Sequence, residues 1–283
     1  MLPAPLRESL LLLLAVASMA SSVIFIRLSE LGPFELAGWR LAGGALAMAP
    51  LVRGWGRLGR GAWVRAGLAG LLLGLHFVTW VVGARSTSAA NASLLVNLVP
   101  LVLPVLLVLL AHESIRGRDW AGAACGVAGV LVVVGANLHP GGTAWGDGVC
   151  LGSMLLYAAY MALGRRAATL FPNTASWIVL VFGIGSVVCF GSGAAAGAPL
   201  RLPPPAEWLW IVALVVFPTL LGHGLMNRAL RCWRGQVVGV ASTGQFLFAG
   251  LFAWPLFGEL PSVWFPLGAA LVVAGVWIVA KGK

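Results

Sequence analysis

Charge is scarce in this chain. Of its 283 residues 9% are charged and 60% hydrophobic, and the mean hydropathy is +0.97. Soluble domains carry charge on roughly a quarter of their residues, so a water-soluble globule is excluded. Alternating apolar and polar residues are missing too, which argues against a membrane β-barrel. The apolar runs are instead about 20 residues long, the length of a bilayer-spanning helix. The four cysteines, Cys125, Cys150, Cys189 and Cys232, form no CxxC pair; they read as small, soft packing residues rather than as metal or redox groups. No GxxxxGK[ST] occurs, which excludes ATP-driven pumping by this chain. Neither HExxH nor GxSxG occurs, so an intramembrane enzyme acting on lipid or acyl substrates stands only as an alternative. No metal, cofactor or catalytic residue is expected.

Acidic residues are fewer still. All eight (Glu8, Glu30, Glu35, Glu113, Asp119, Asp147, Glu207 and Glu259) fall at the ends of apolar runs or between them. No carboxylate stands at mid-run to relay a proton or capture a cation, and no Lys/Arg cluster stands there to hold phosphate. What remains fits a neutral or zwitterionic solute with substantial apolar area. The formal charge of +10 would suit nucleic acid in a soluble domain, but the arginines lie in short loops, where membrane topology accounts for them. The lipid bilayer is the expected partner, and nucleic acid is not.

Apolar runs lie near 9–27, 34–52, 63–84, 88–111, 119–136, 145–164, 174–193, 207–227, 236–257 and 263–280. The first resembles a signal peptide with a small-residue cleavage site, but the charge pattern favours a retained helix. With a cytoplasmic N-terminus, that side receives Arg7, Arg53, Arg57, Arg60, Arg65, Arg116, Arg118, Arg165, Arg166, Arg228, Arg231, Arg234, Lys281 and Lys283. The other side receives only Arg27, Arg85 and Arg201, with Arg40 inside the second run. Positive residues in short loops stay inside, so both termini are expected in the cytoplasm.

"GAACGVAGV" at 122–130 and "GAALVVAGV" at 268–276 agree at seven of nine positions, at an offset of 146. The same offset pairs Glu113 with Glu259 and Arg85 with Arg231. Two repeats, 1–140 and 141–283, follow. Five helices per repeat is an odd number, so the second must be inverted in the membrane, and the arginine bias of equivalent loops does switch. The expected fold is all-α: a polytopic membrane protein with ten transmembrane helices in two inverted five-helix repeats. Such repeats are a frequent transporter design with a site between the halves near the midplane.

The ten-helix plan, with a glutamate and a "GAA…AGV" stretch closing each half, resembles the drug/metabolite transporter superfamily with EamA-type repeats. Length and a polar, aromatic interior make the chain most similar to its aromatic amino-acid exporters of the YddG type. The resemblance implies a secondary transporter in the bacterial inner membrane, exporting aromatic or other neutral amino acids, or similar small metabolites, by alternating access.

Ionisable and polar groups within spans usually face the bundle interior. His76 and Trp80 lie at i, i+4 on one helix face, and His223 with Asn227 repeats the arrangement in the eighth run. Both faces are expected to look into one central cavity, the alternative being that each histidine bonds a neighbouring helix. Asn97, Tyr157, Tyr160 and Thr243 are further candidates for substrate contact, although Thr often bonds its own helix. Pro100 and Pro104 should bend the fourth run, and freed carbonyls there could line a cavity. Arg40, five residues from Glu35, reads as a structural ion pair or an anchor at the outer interface, with substrate contact as the alternative. Glu113 and Glu259 also read as structural, each needing a partner such as the N-terminus of the following helix. "GLLLG" at 70–74 and "GAACG" at 122–126 fit close helix packing.

Overall fold

In the computed structural model, residues 4–87, 92, 95–135, 143–167, 170–198, 200–257 and 263–281 are described, and no strand occurs among them. The chain begins with α1 (Ala4–Ala20) and α2 (Ser22–Leu28). Next come α3 (Pro33–Met48), α4 (Arg60–Ser86), α5 (Val99–Leu106) and α6 (Gly117–Gly135). The second part holds α7 (Ala144–Ala167), α8 (Thr174–Ala195), α9 (Glu207–Leu214) and α10 (Gly224–Cys232). It closes with α11 (Gly235–Ser242), α12 (Gln245–Phe257) and α13 (Phe265–Ala280). Among the described residues six runs are long and apolar enough to cross a bilayer: Leu6–Leu28, Arg60–Ser86, Ala144–Ala167, Thr174–Ala195, Glu207–Cys232 and Gly235–Leu256. Leu46, Leu209, Val187 and Trp277 stand exposed on the outer surface, as a lipid-facing wall requires. This is a multi-pass membrane protein. The repeat junction expected at 140/141 and the position of Glu259 lie outside the described residues.

Four of the expected continuous runs are interrupted: the first by a turn at Ser21 between α1 and α2, and three more where local chemistry explains the break. In the fourth, a turn at Asn97–Leu98 precedes α5, and Pro100 occupies the first turn, where a missing N–H is harmless. Pro104 lies inside α5, which passes into a wider π turn at Leu107–Ala111. In the ninth, a turn at Thr243–Gly244 separates α11 from α12. These two breaks sit at the 146-residue offset and share a hydrogen bond: Leu101 N–H to Leu98 O at 3.0 Å, and Leu247 N–H to Gly244 O at 3.1 Å. In the eighth, a π segment at Val215–His223 joins α9 to α10 around Pro218. Proline has no N–H for the carbonyl four residues back, here that of Leu214. The Thr219 hydroxyl donates to it instead, at 2.7 Å.

Glycines set the closest packing. Carbonyl oxygens of α13 press on the bare backbone of α6: a Cβ on Gly129 would lie 2.6 Å from Gly268 O, and one on Gly122 2.8 Å from Gly275 O. The two similar nine-residue stretches therefore pack antiparallel against each other. In "GLLLG", a Cβ on Gly74 would meet Gly185 O of α8 at 2.7 Å. Elsewhere α4 packs on α7 and α8, α3 on α8, and α1 on the π segment 215–223.

Ionic contacts gather at two ends of the bundle. At one, Glu207 accepts from Ser29 Oγ at 2.6 Å and from Glu30 N–H at 3.1 Å, while Arg85 donates to Leu31 O at 3.0 Å. At the other, Arg228 pairs with Glu8 at 2.7 Å, Arg165 with Glu113 at 2.8 Å, and Arg234 with Asp119 at 2.7 Å. The Asp119 hydrogen bonds raise the Arg234 pKa further above its ordinary value, fixing that charge.

Candidate functional site: a buried aromatic and polar centre

Four of the expected site residues meet where α4, α7 and the α9–α10 rod converge. The Tyr157 ring of α7 lies between two imidazoles: stacked on His76 at 4.9 Å and 24°, and edge-on to His223 at 5.8 Å and 87°. Tyr160, one turn on, contacts Tyr157 at 6.0 Å and His223 at 6.5 Å. Both histidines are buried, at 5% and 3% exposure.

Their polar edges differ. His76 Nδ1 lies 3.0 Å from Ser153 O and 2.9 Å from Ser153 Oγ, while that hydroxyl donates to His76 O at 3.1 Å. The pattern is a reciprocal clasp in which Nδ1–H donates to α7 and leaves Nε2 as the acceptor of a neutral ring. Here the neighbouring-helix bond set against the cavity is the one formed. His223 Nδ1, by contrast, is buried without a hydrogen-bond partner among the described residues. The pair resembles a symmetric one in sequence and is asymmetric in bonding.

Asn227 is fully engaged. Its Oδ1 accepts from Trp177 Nε1 at 2.9 Å, and its Nδ2 donates to Tyr160 Oη at 2.6 Å and to His223 O at 2.7 Å. It ties α10 to α7 and α8 directly behind the histidine. Trp80 does not share this centre: it packs against a separate apolar cluster that includes Ile211 and Leu214. Thr243 is buried and donates to Val240 O of its own helix at 2.7 Å. Asn97 is buried at the other break. Glu113 has the helix N-terminus that its position calls for, but a distant one: Gly235 N–H, at the start of α11, donates to it at 3.3 Å.

Arg40 departs most from expectation. In place of a Glu35 pair or an interfacial position, it is 3% exposed. Its Nε donates to Thr219 Oγ at 2.7 Å and a terminal nitrogen to Ser22 Oγ at 2.9 Å. Its guanidinium carbon sits 4.2 Å from the Phe77 ring centre, and Phe77 in turn contacts His223 at 5.2 Å. The Thr219 oxygen accepts from Arg40 while its hydroxyl donates to Leu214 O. Arg40 therefore belongs to the same centre as the histidines. Phe77, Ser153, Trp177 and Thr219 were missed from sequence; Pro218, at the middle of an apolar run, was the available signal for the last. A separate groove of about 500 Å³, lined by Arg60, Arg65, Leu68, Leu109 and Leu163 among others, shares no residue with this centre.

Membrane-crossing helices surround this buried aromatic and polar centre, and the comparisons with known proteins supply the class: a membrane transporter. The EamA-like transporter family model matches residues 6–135 and 144–281, so the chain belongs to the EamA-like transporter family. An uncharacterized transporter of Archaeoglobus fulgidus is 26% identical over 96% of both chains. The aromatic amino acid exporter YddG of Ancylobacter novellus is 26% identical over 82% of each. A solved crystal structure with 20% identity superposes at a TM-score of 0.76, covering 98% of this chain and 99% of that one; that likeness speaks for the fold. Transporter names among the relatives are in keeping with a chain that is not an enzyme.

Proposed function

We propose that this protein is a secondary transporter for aromatic or other neutral amino acids, or metabolites of similar shape, working by alternating access in a bacterial inner membrane. The observation that carries the reading is the buried centre itself. His76 comes from the first half of the chain, and Tyr157, Tyr160 and His223 come from the second. A solute held there would touch both halves, as alternating access at a repeat interface demands. Ring faces offer stacking area, and the imidazoles and hydroxyls offer hydrogen bonds that orient a zwitterion.

Helix pairing supports two inverted five-helix units. The contacts of α4 with α7, and of α1 with the 215–223 segment, exchange when each run is replaced by the one five places away. The same exchange leaves the α6–α13 glycine seam unchanged. Breaks at Asn97–Leu98 and Thr243–Gly244 obey the same relation, and discontinuous helices are a recurrent feature beside transporter sites. In the proposed cycle the halves rock about the centre, with Asn97 and Thr243 near the bending points. The export direction rests on likeness to YddG alone.

The test is flux. Purified protein in proteoliposomes loaded with labelled phenylalanine, tryptophan, leucine and lysine should release the aromatic and neutral solutes and retain lysine. Replacing both His76 and His223 with alanine should lower that flux roughly tenfold or more. Undiminished flux in a correctly folded double variant would remove the centre from the transport path.

A further inference from the structure

We infer that Arg40 is the receptor for an anionic group, a carboxylate, on the transported solute; this rests on the transporter reading and deepens it. A guanidinium stays protonated in proteins and carries five N–H donors. Arg40 uses Nε and one terminal nitrogen on two neutral hydroxyls, and among the described residues its other terminal nitrogen makes no hydrogen bond. No Asp or Glu among the described residues pairs with it. Glu8 and Glu113 are held by arginines at one end of the bundle, and Glu207 by the Ser29–Glu30 turn at the other. The titratable groups that interact with it, Tyr157, Cys189, His76 and His223, carry no negative charge near neutrality.

Buried charges are ordinarily paired, because leaving water without a counter-ion is expensive. Here the hydroxyls of Ser22 and Thr219 and the Phe77 face hold the guanidinium in place without neutralising it. His223, reached through the same Phe77 ring, adds a second unsatisfied polar atom at Nδ1. A fixed cation and a spare imidazole nitrogen beside aromatic faces match a planar carboxylate joined to an apolar body. The same charge repels cationic amines that lack a carboxylate, so the centre selects by charge as well as shape.

The experiment is equilibrium binding to the purified full chain in detergent with three probes: phenylalanine, 3-phenylpropionate and phenethylamine. Wild type should bind the two carboxylates at least roughly tenfold more tightly than the amine. Arg40→Met should weaken both carboxylates roughly 10- to 100-fold without weakening phenethylamine, and Arg40→Lys should restore part of the loss. Gel filtration and the unfolding temperature check that the variants are folded; if Arg40→Met is not, the wild-type panel decides alone. Equal affinity for phenethylamine and 3-phenylpropionate in wild type, or carboxylate selectivity that survives Arg40→Met, overturns the inference. Flux without carboxylate preference would leave the transporter reading standing and remove Arg40 from it. Arg40-dependent binding with no flux would do the reverse, and binding of none of the three removes both.

Discussion

Asn227 shows how much one amide can hold inside a bilayer. Its three hydrogen bonds join three helices, and no water stands ready to replace them if they are lost. Truncation would leave the Trp177 indole N–H and the Tyr160 hydroxyl short of a buried partner, each at about 1–3 kcal/mol. Asn227→Ala is therefore expected to lower stability by about 2–4 kcal/mol, read as a lowered unfolding temperature in detergent. Trp177→Phe should remove less, and the double variant should be less destabilised than the two singles added together. Additive losses would mean that the two side chains are not coupled. The His-to-Asn spacing at 223 and 227 was legible as a shared face. That the amide props up its neighbours, rather than facing a ligand, was not, because its partners lie 50 and 67 residues away.

Helices in this protein approach as closely as their glycines permit. Apolar side chains supply little drive for helix association within lipid, so close backbone contact takes over. On α6 a methyl group at Gly129 would come within 2.6 Å of Gly268 O and 3.0 Å of Val272 Cγ2. Gly129→Ala is expected to force the α6–α13 seam apart, at about 1–3 kcal/mol. Gly152 on α7 has no heavy atom within 4 Å of an added Cβ. Gly152→Ala should be neutral or stabilising by up to about 1 kcal/mol, through helix propensity alone. Thermal unfolding of the two variants side by side checks the pair, and equal effects would show that the seam is not tight. The matching nine-residue stretches were visible in the sequence; that they are each other's packing partners was not. The breaks were half legible: prolines announced those near 100 and 218, while Thr243–Gly244 carried only a glycine.

Across the whole molecule, charge sorts to the two ends and aromatic and polar groups to the middle. The larger set of arginines (Arg53, Arg57, Arg165, Arg228, Arg231 and Arg234 among them) shares the end where Glu8, Glu113 and Asp119 pair. Positive loops are retained in the cytoplasm, so that end is expected inside. In a background freed of native cysteines, Arg201→Cys is expected to react in intact cells with a membrane-impermeant maleimide, and Arg57→Cys only after permeabilisation. The opposite labelling pattern would invert the protein in the membrane.

Length of apolar runs, sparseness of charge and placement of arginines are properties of each segment taken alone. They determined without coordinates that the chain crosses a membrane many times, and the spaced repeat pointed to its family. Which polar groups meet depends instead on how each helix is rotated and where its backbone opens, and both are settled by contacts between distant segments. Only the tertiary structure therefore separated Trp80 from His76, bonded Asn227 to Trp177, and drew Arg40 off the interface to Thr219. The physical reason is that this last contact joins residues 179 apart, which no segment taken alone reveals.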